Sequence, residues 1–505
     1  MKYLMGIDNG GTFSKAAIFD TDGNQIAVAS LPTRLLTPKP GYTERDMEEL
    51  WQTNVQVMKA ALEKSGVLPS DIAGISFSGH GKGLYVVDGQ GKPIYNGILS
   101  TDTRAWEYPE RWKREGVLDR VFEKTCQTVL ACQPVSLLAW MKDHVPEVYG
   151  KIGAVFSVKD YVRYRLTGEM NGEYTDFSGG NLVNMNTKTY DRELMECFGI
   201  GEIYEKLPPL KAAAEVCGYV TEESSRLTGL AAGTPVTAGM FDVDACGIAS
   251  GLVEEKDLCM IAGTWSINEF LARGPILDGS VSLNSMFCIP GYYLIEESSP
   301  TSAGNLEWFI RTQMPMEREA WGKSGLYDRI NQMVSDVRPE DDSLIFLPFI
   351  NGSNEDPQAK GMFVGLTGYH DRSHMLRAIY EGVVYSHMTH VKRLLQNRER
   401  PESIRLSGGA ANSQVWVQIF ADALQIPIDV VEGKELGAQG AAMAAGIGAG
   451  IYADYQEAAA RTVRITKTIA PRPEAGAVYE KKYQAYRLVN DAMAGVWAKL
   501  QPAEG

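Results

Sequence analysis

The chain has 505 residues, with 49 lysines and arginines against 63 aspartates and glutamates, a formal net charge of −14, and 44% apolar and 22% charged residues. Such proportions suit a folded globular protein and exclude collagen, coiled coil and disorder, while the length allows two large domains or three smaller ones. The acidic balance repels phosphate backbones, so nucleic acid is not the expected partner.

Seven cysteines are scattered without a C-x-x-C pair, which argues against a disulfide framework or a zinc site and for a reducing cytoplasm. The N-terminus runs straight into a strand-and-turn pattern with no apolar signal core. The longest uncharged stretch, residues 436–453, holds five glycines among many alanines. It predicts a tightly packed internal helix followed by a turn, with no membrane span and a soluble protein.

In chain order, apolar runs at 3–7, 16–19 and 25–29, separated by Asp8-Asn-Gly-Gly11 and Asp20-Thr-Asp-Gly-Asn24, predict an antiparallel meander. Asp46 with Glu49 three residues later predicts a helix opened by a capping box. Met47, Leu50, Trp51, Val55, Met58 and Leu62 then fall at helical spacing. Residues 72–77 read as a strand ending at Ser78-Gly79. Residues 258–262, running into Gly263-Thr264, and 403–406, running into Ser407-Gly408-Gly409, repeat that grammar. Two lobes of similar α/β design follow, with the break near residues 245–255.

Chemistry points to the turns. In Asp8-Asn-Gly-Gly-Thr-Phe-Ser-Lys15 adjacent glycines let backbone N–H groups converge on an anion, Thr12 and Ser14 add hydroxyls, Lys15 adds charge, and Asp8 suits a hydrated magnesium ion. A plain hairpin turn explains the same residues equally well. Gly263-Thr264 alone reads as a strand end; paired with the first turn it reads as the other half of a polyphosphate clamp. The strand at 235–238 delivers Asp242 and Asp244, either of which could take a proton from an attacking hydroxyl or simply cap a helix. Other phosphate devices fail. Gly322-Lys323-Ser324 has Glu317 where a P-loop needs glycine, and Gly446-Ile-Gly448-Ala-Gly450 follows a helix instead of a strand. His387 and His390, in a helix predicted at 375–395, lack a third metal ligand and read as solvated or capped. The basic stretch 392–400 reads as a solvated helix end.

In family order, these motifs resemble the FGGY carbohydrate kinases over residues 3–480. Gly6–Lys15 matches G-I-D-x-G-T-x-x-K with one extra residue. Lys159-Asp-Tyr-Val-Arg-Tyr-Arg-Leu-Thr-Gly168 is similar to a stretch of the xylulokinase branch. Gly361-Met-Phe-Val-Gly-Leu366, seven residues, then His374-Met-Leu-Arg-Ala-Ile-Tyr-Glu381 fits the C-terminal signature.

The resemblance implies an α/β fold of two ribonuclease-H-like lobes, of the actin and hexokinase type, with a catalytic cleft between them. The lobes would span residues 1–247, for sugar and the first phosphate turn, and 248–505, for adenosine and the second. It implies ATP and Mg2+, Asp242 as catalytic base, and Asp8 holding the metal. Gly11, Thr12, Lys15, Gly263 and Thr264 would bind phosphates, and Gly408, Gly409, Ala410 and Ser413 adenosine. His80, Lys82, Gly83, Asp102 and Asp242 would contact the sugar.

The implied acceptor is a small ketose, L-xylulose foremost, with D-xylulose, L-ribulose or a tetritol as alternatives and a non-catalytic sugar sensor as the rival class. The implied partners are sugar and ATP, with a homodimer as the assembly to test. Two departures concern the acceptor. The segment Gly352-Ser-Asn-Glu-Asp-Pro357 is short and lacks an arginine, and residues 136–140 lack the usual lysine.

Overall fold

A computed structural model describes residues 1–356 and 358–500. Pro357 of the short segment named above and the last five residues of the expected second lobe lie outside the described residues. The chain forms two compact units. One comprises residues 1–254, 271–295 and 435–463, the other residues 255–270, 296–434 and 464–505. The first break falls at 254/255, and two later segments return to the first unit, a discontinuity that an expected split into 1–247 and 248–505 does not contain.

In unit 1, β1 (Tyr3–Asn9), β2 (Phe13–Asp20) and β3 (Gln25–Pro32) form the expected antiparallel meander, each strand running two to four residues longer than its apolar run. Helix α1 (Met47–Ser65) starts where Asp46 accepts the Glu49 amide and stops at Gly66 in the left-handed region; all six predicted apolar positions are buried. The box is not reciprocal, however: the Glu49 carboxylate pairs with Arg34 at 3.0 Å. Strand β4 (Ile72–Gly79) lies parallel to β1, with Asp8 opposite Ser78. β5 (Val216–Tyr219) and β6 (Pro235–Thr237) complete the order β5–β6–β4–β1–β2–β3, and Met240–Phe241 pairs alongside the end of β4 before helix α2 (Asp242–Ala249) begins.

Unit 2 repeats the pattern. β7 (Leu258–Ala262), β8 (Ser266–Ala272) and β9 (Tyr293–Ser299) lead, after the long helix α3 (Arg372–Leu394), to β10 (Ile404–Ser407) and β11 (Ile428–Val431). The chain then returns to unit 1 as α4 (Leu436–Gly448), and β12 (Ile465–Ile469) finishes the second sheet. Its order, β12–β11–β10–β7–β8–β9, copies the first sheet, with β10 parallel to β7 as β4 is to β1. The short sequence echo thus reflects a repeated sheet plan. Among the described residues no helix is long and apolar enough to cross a membrane.

Helix α4, the uncharged stretch, packs on β1 and β4 backbone to backbone. A Cβ on Gly6 would sit 1.7 Å from the Ala438 carbonyl oxygen, one on Gly74 2.8 Å from that of Ala445, and one on Gly440 2.1 Å from that of Ala245 in α2. Carbonyls cannot move aside as flexible side chains can. Gly446 and Gly448 are likewise packing residues, against Tyr452 and Thr237, so no dinucleotide loop forms there.

Overpacking of this kind typically costs about 1–3 kcal/mol. Gly6→Ala is expected to lower stability by at least the upper value, read as the urea midpoint of the unfolding transition that includes unit 1. A shift below about 0.5 kcal/mol would show that α4 can lift off β1.

Candidate active site

The parallel strands of unit 1 bring their C-terminal ends to one edge of the sheet. Asp8 on β1, Ser78 on β4 and Met240 share a register, so the chain emerges at that edge three times: at the first turn, at the His80 loop and at Asp242. The Ser78 hydroxyl donates to the half-buried Asp8 carboxylate at 2.9 Å. Burial raises the Asp8 pKa, with the Ser78 bond and the Lys15 charge opposing it. Lys15 pairs with Glu435 at 2.7 Å. Burial alone would lower its ammonium, yet the Glu435 bond and charge carry it above its ordinary value. Gly437 faces Asp8 so closely that a Cβ would lie 3.0–3.1 Å from the carboxylate. Gly11 and Thr12 stand exposed at the turn's tip, and the Thr12 carbonyl accepts from the Thr33 amide at 2.9 Å.

Two residues that sequence reasoning missed complete this corner. Glu435 is the last charge before the uncharged helix, and that abrupt change in composition was its only signal. Arg45, 1% exposed, donates to the Gly10 and Gly11 carbonyls at 3.2 and 2.7 Å and so holds the turn from beneath. Its position one residue before a helix cap gave no indication of that role.

Asp242 opens α2 and is half-buried, whereas Asp244 is wholly buried and accepts the Cys288 amide at 2.9 Å. Behind Asp242 lies an ionic cluster. The Lys159 ammonium sits 3.1, 3.3 and 2.7 Å from Asp160, Glu173 and Asp176, and Arg163 binds Asp160 at 2.5 Å, every side chain 0–2% exposed. Three carboxylates face two cations, and burial lifts Asp176 to about 7 despite Lys159. Two bonds run from the cluster to the strand that delivers Asp242. Arg163 donates to the Ala238 carbonyl at 2.5 Å, and Thr175 Oγ1 accepts the Phe241 amide at 2.9 Å while donating to Glu173 at 2.6 Å.

The candidate sugar residues lie on the loop after β4. Gly81 rests on the Phe241 ring, 2.4 Å from a hypothetical Cβ, and the Lys82 ammonium lies 6.0 Å from that ring's centroid. Lys82 itself is left-handed, with φ at 61°. Gly83 donates to the Cys132 carbonyl at 2.8 Å. His80 is buried against the Tyr85 hydroxyl at 3.1 Å; burial, helped by the Arg45 charge, takes its pKa to about 3. Asp102 is 1% exposed and accepts four bonds, from the Thr43 amide at 2.6 Å and from the Arg104 amide, Nε and Nη2 at 2.9, 2.9 and 2.8 Å. The geometry thus ties Asp102 to Arg104, whose guanidinium lies 4.1 Å from the Tyr42 ring centroid and 5.0 Å from that of Trp140.

Unit 2 gathers the remaining candidates. Gly263 and Thr264 form the turn between β7 and β8, with Thr264 exposed. Gly408, at φ 89°, packs so that a Cβ would meet Ala262 at 2.7 Å and Gly263 N at 2.9 Å, which places the two glycine turns side by side. Gly409 is exposed, Ala410 buried, and Ser413 caps the following helix by accepting the Trp416 amide while donating to Asn331 at 2.6 Å.

His387 and His390 are not solvated. His387 is wholly buried between Ser266, Asn268 and Ser302, and His390 bonds Glu297 at 3.1 Å. Helix α3 is the core of its unit, so a histidine pair on it turns inward. The basic stretch is paired as well. Lys392 meets Glu480, Arg393 meets Glu297 and Glu355, and Arg398 and Arg400 bind carbonyls of residues 256, 257, 424 and 425. Among the described residues no group of three or more His, Cys, Asp or Glu side chains is poised to hold a metal.

A histidine neutral in the fold down to about 3 but protonated below about 6.5 when unfolded stabilises the fold above pH 6.5, and that stability drains away as pH falls toward 3. Between pH 7.5 and 5.0 one such group loses about 2 kcal/mol. His80→Gln should therefore lose about that much less than the parent over this interval in urea titrations. Equal losses would show that His80 titrates alike in folded and unfolded chains.

Comparison with known proteins closes the question of family. The N-terminal domain of the FGGY family of carbohydrate kinases matches residues 3–248 and the C-terminal domain residues 258–449. The chain is 40% identical over 502 residues, 99% of each chain, to the "L-xylulose/3-keto-L-gulonate kinase" of Escherichia coli (strain K12). It is 37% identical, over 98% of this chain and 99% of the other, to the "Probable L-xylulose kinase" of Pasteurella multocida (strain Pm70). The xylulose kinase structure from Rhodospirillum rubrum superposes with TM-score 0.87 at 26% identity, covering 98% of this chain and 100% of that one. The gluconate kinase structure from Lactobacillus acidophilus shares the fold, with TM-score 0.90 at 23% identity over 99% and 100%. The chain belongs to the FGGY family of carbohydrate kinases, which phosphorylate a carbohydrate with ATP.

Proposed function

We propose that this kinase transfers the γ-phosphoryl group of ATP to the terminal hydroxyl of a small ketose, L-xylulose foremost, giving the 5-phosphate. The observation that carries the reading is Asp242: a half-buried carboxylate at the sheet edge that also holds Asp8, beside the Lys82 loop packed on Phe241. Asp242 accepts the hydroxyl proton as the new O–P bond forms, and the bond to the β-phosphate oxygen breaks to release ADP. We assign Thr12, Lys15 and Thr264 to phosphate binding, and Gly408 and Gly409 to adenosine binding.

Asp8 and Glu435 suit a hydrated magnesium ion. Lys15 bonds Glu435 at 2.7 Å and its charge also acts on Asp8, whose carboxyl is raised by burial, so an ion there would be held by Asp8 and Glu435 with water and phosphate oxygens completing its shell. When bound, that ion supplies neutralisation of phosphate charge. Lys15 and the exposed turn amides add to it, and Asp242 needs only to orient the alcohol and take its proton.

Lys82 favours a second acceptor class. Among the described residues it makes no ion pair, and an ammonium beside the sugar loop matches a carboxylate, as in the keto-gulonate of the Escherichia coli relative's name. The two readings share the chemistry and differ in the acceptor.

Asp242→Asn is expected to lose at least about 100-fold in kcat with an unchanged melting temperature; a near-parental rate in coupled ADP-release assays would unseat it as base. Thr175→Val, which removes the bond to the Phe241 amide, should lower kcat about tenfold while KM for ATP stays within twofold, and Thr175→Ser should restore it. For Lys82→Met, kcat/KM should drop about 30-fold or more on a keto-aldonate and less than threefold on a neutral pentulose if the acid is the acceptor. Equal losses on both would leave the neutral ketose as the substrate.

A further inference from the structure

We propose that His387 is a positioning residue that fixes the Gly263–Thr264 turn, acting through the hydroxyls of Ser302 and Ser266. The imidazole is 0% exposed and spends both nitrogens inside unit 2. Nδ1 lies 2.7 Å from Asn268 Oδ1 and 3.1 Å from Ser266 Oγ, and Nε2 lies 2.8 Å from Ser302 Oγ. An amide oxygen only accepts, so Nδ1 carries the hydrogen, and Nε2 accepts from the Ser302 hydroxyl.

Each serine leads directly to the turn. The Ser302 amide donates to the Thr264 carbonyl at 2.9 Å, and Gly304 closes on the same oxygen, 3.5 Å from a hypothetical Cβ. Ser266 pairs with Ala262 at the root of the hairpin that carries Gly263 and Thr264. One ring therefore bonds the side chain at the foot of the hairpin and the loop that holds its tip. Asn268 in turn donates to the Glu297 carbonyl at 3.1 Å, which anchors the ring to β9.

Ser302, His387 and Asn268 resemble the serine–histidine–amide sets that activate nucleophiles. Burial argues against that role: the three are 1%, 0% and 0% exposed. Burial and the neighbouring His390 also take the ring's pKa to about 3, so it stays neutral through the working range and acts as a hydrogen-bond bridge instead of a proton carrier. A turn whose exposed threonine must meet a phosphate gains from such a bridge, because disorder at Thr264 would be removed at each binding event.

The inference rests on the reading of Gly263–Thr264 as a phosphate turn, so the experiment measures both. Steady-state kinetics with ATP and sugar varied separately would compare Ser302→Ala, His387→Leu, His387→Gln, Thr264→Ala and Ser302→Ala with Thr264→Ala combined. Thr264→Ala and Ser302→Ala are each expected to raise KM for ATP fivefold or more with KM for the sugar within twofold, and the double variant to lose less than the product of the two. His387→Leu should exceed Ser302→Ala, and His387→Gln, which keeps a donor and an acceptor, should recover part of the loss. Should His387→Leu fail to fold, Ser302→Ala, a single hydroxyl, decides. The inference is overturned if Ser302→Ala leaves KM for ATP unchanged while Thr264→Ala raises it, or if both Michaelis constants rise equally. Should Thr264→Ala itself leave KM for ATP unchanged, the reading of the turn fails, and the role given to His387 with it.

Discussion

The site of unit 1 depends on one packing contact: helix α4 lying on β1 and against α2 with no side chain between the backbones. Three glycines, Gly6, Gly74 and Gly440, permit it, each facing a carbonyl where a methyl group has no room. That approach brings Glu435 onto Lys15 and Gly437 onto Asp8, and it locks the helix that Asp242 opens. A spacing of one side chain's width would move Asp8, Lys15 and Asp242, the groups we propose for metal, phosphate and proton, apart from each other, and catalysis by positioning is steeply sensitive to such displacements. The alanine and glycine content of α4 is therefore part of the active site, although none of those residues needs to touch a substrate.

Charge beneath the site does the complementary work. Burying Lys159, Arg163, Asp160, Glu173 and Asp176 together is unfavourable by desolvation, and its Coulombic return is partial because one carboxylate is in excess. What the cluster adds is direction. Arg163 and Thr175 each hold one backbone group of the strand leading to Asp242, and removal of either partner would strand a buried polar atom. Arg45 below the first turn and His387 below the second follow the same plan: a buried polar side chain anchors a glycine turn whose upper surface is left exposed.

Periodicity and turn chemistry made much of this legible. The meander, α1 with its six inward positions, the strand into Gly263 and the buried nature of residues 436–446 follow from local patterns. The turns around Gly11, Gly263 and Gly408 stand out only in combination, since each alone reads as an ordinary hairpin turn or strand end. What stayed hidden depends on distant pairing. Glu49 completes a capping box by spacing, yet Arg34 takes its carboxylate. His387, His390 and the 392–400 arginines look like a solvent face until β9 and β8 supply Glu297, Ser266 and Asn268. Glu435 lies 420 residues from Lys15, and no local signal links them. Lys159-Asp160 was visible as a family stretch, but its meaning required Glu173, Asp176 and Thr175 from the next segment. The interleaving of the units is invisible for the same reason, since the returning helix differs from any packed helix only in what it packs against.

Lys82 stands between two glycines and yet adopts the left-handed conformation that glycine would enter freely. A residue with a Cβ gives up about 1 kcal/mol there. A third glycine would relieve that strain without disturbing the Phe241 contact of its neighbour. The loop thus forgoes folding stability to hold an ammonium at one spot, a strain that a role for the charge in acceptor recognition, as proposed above, would offset.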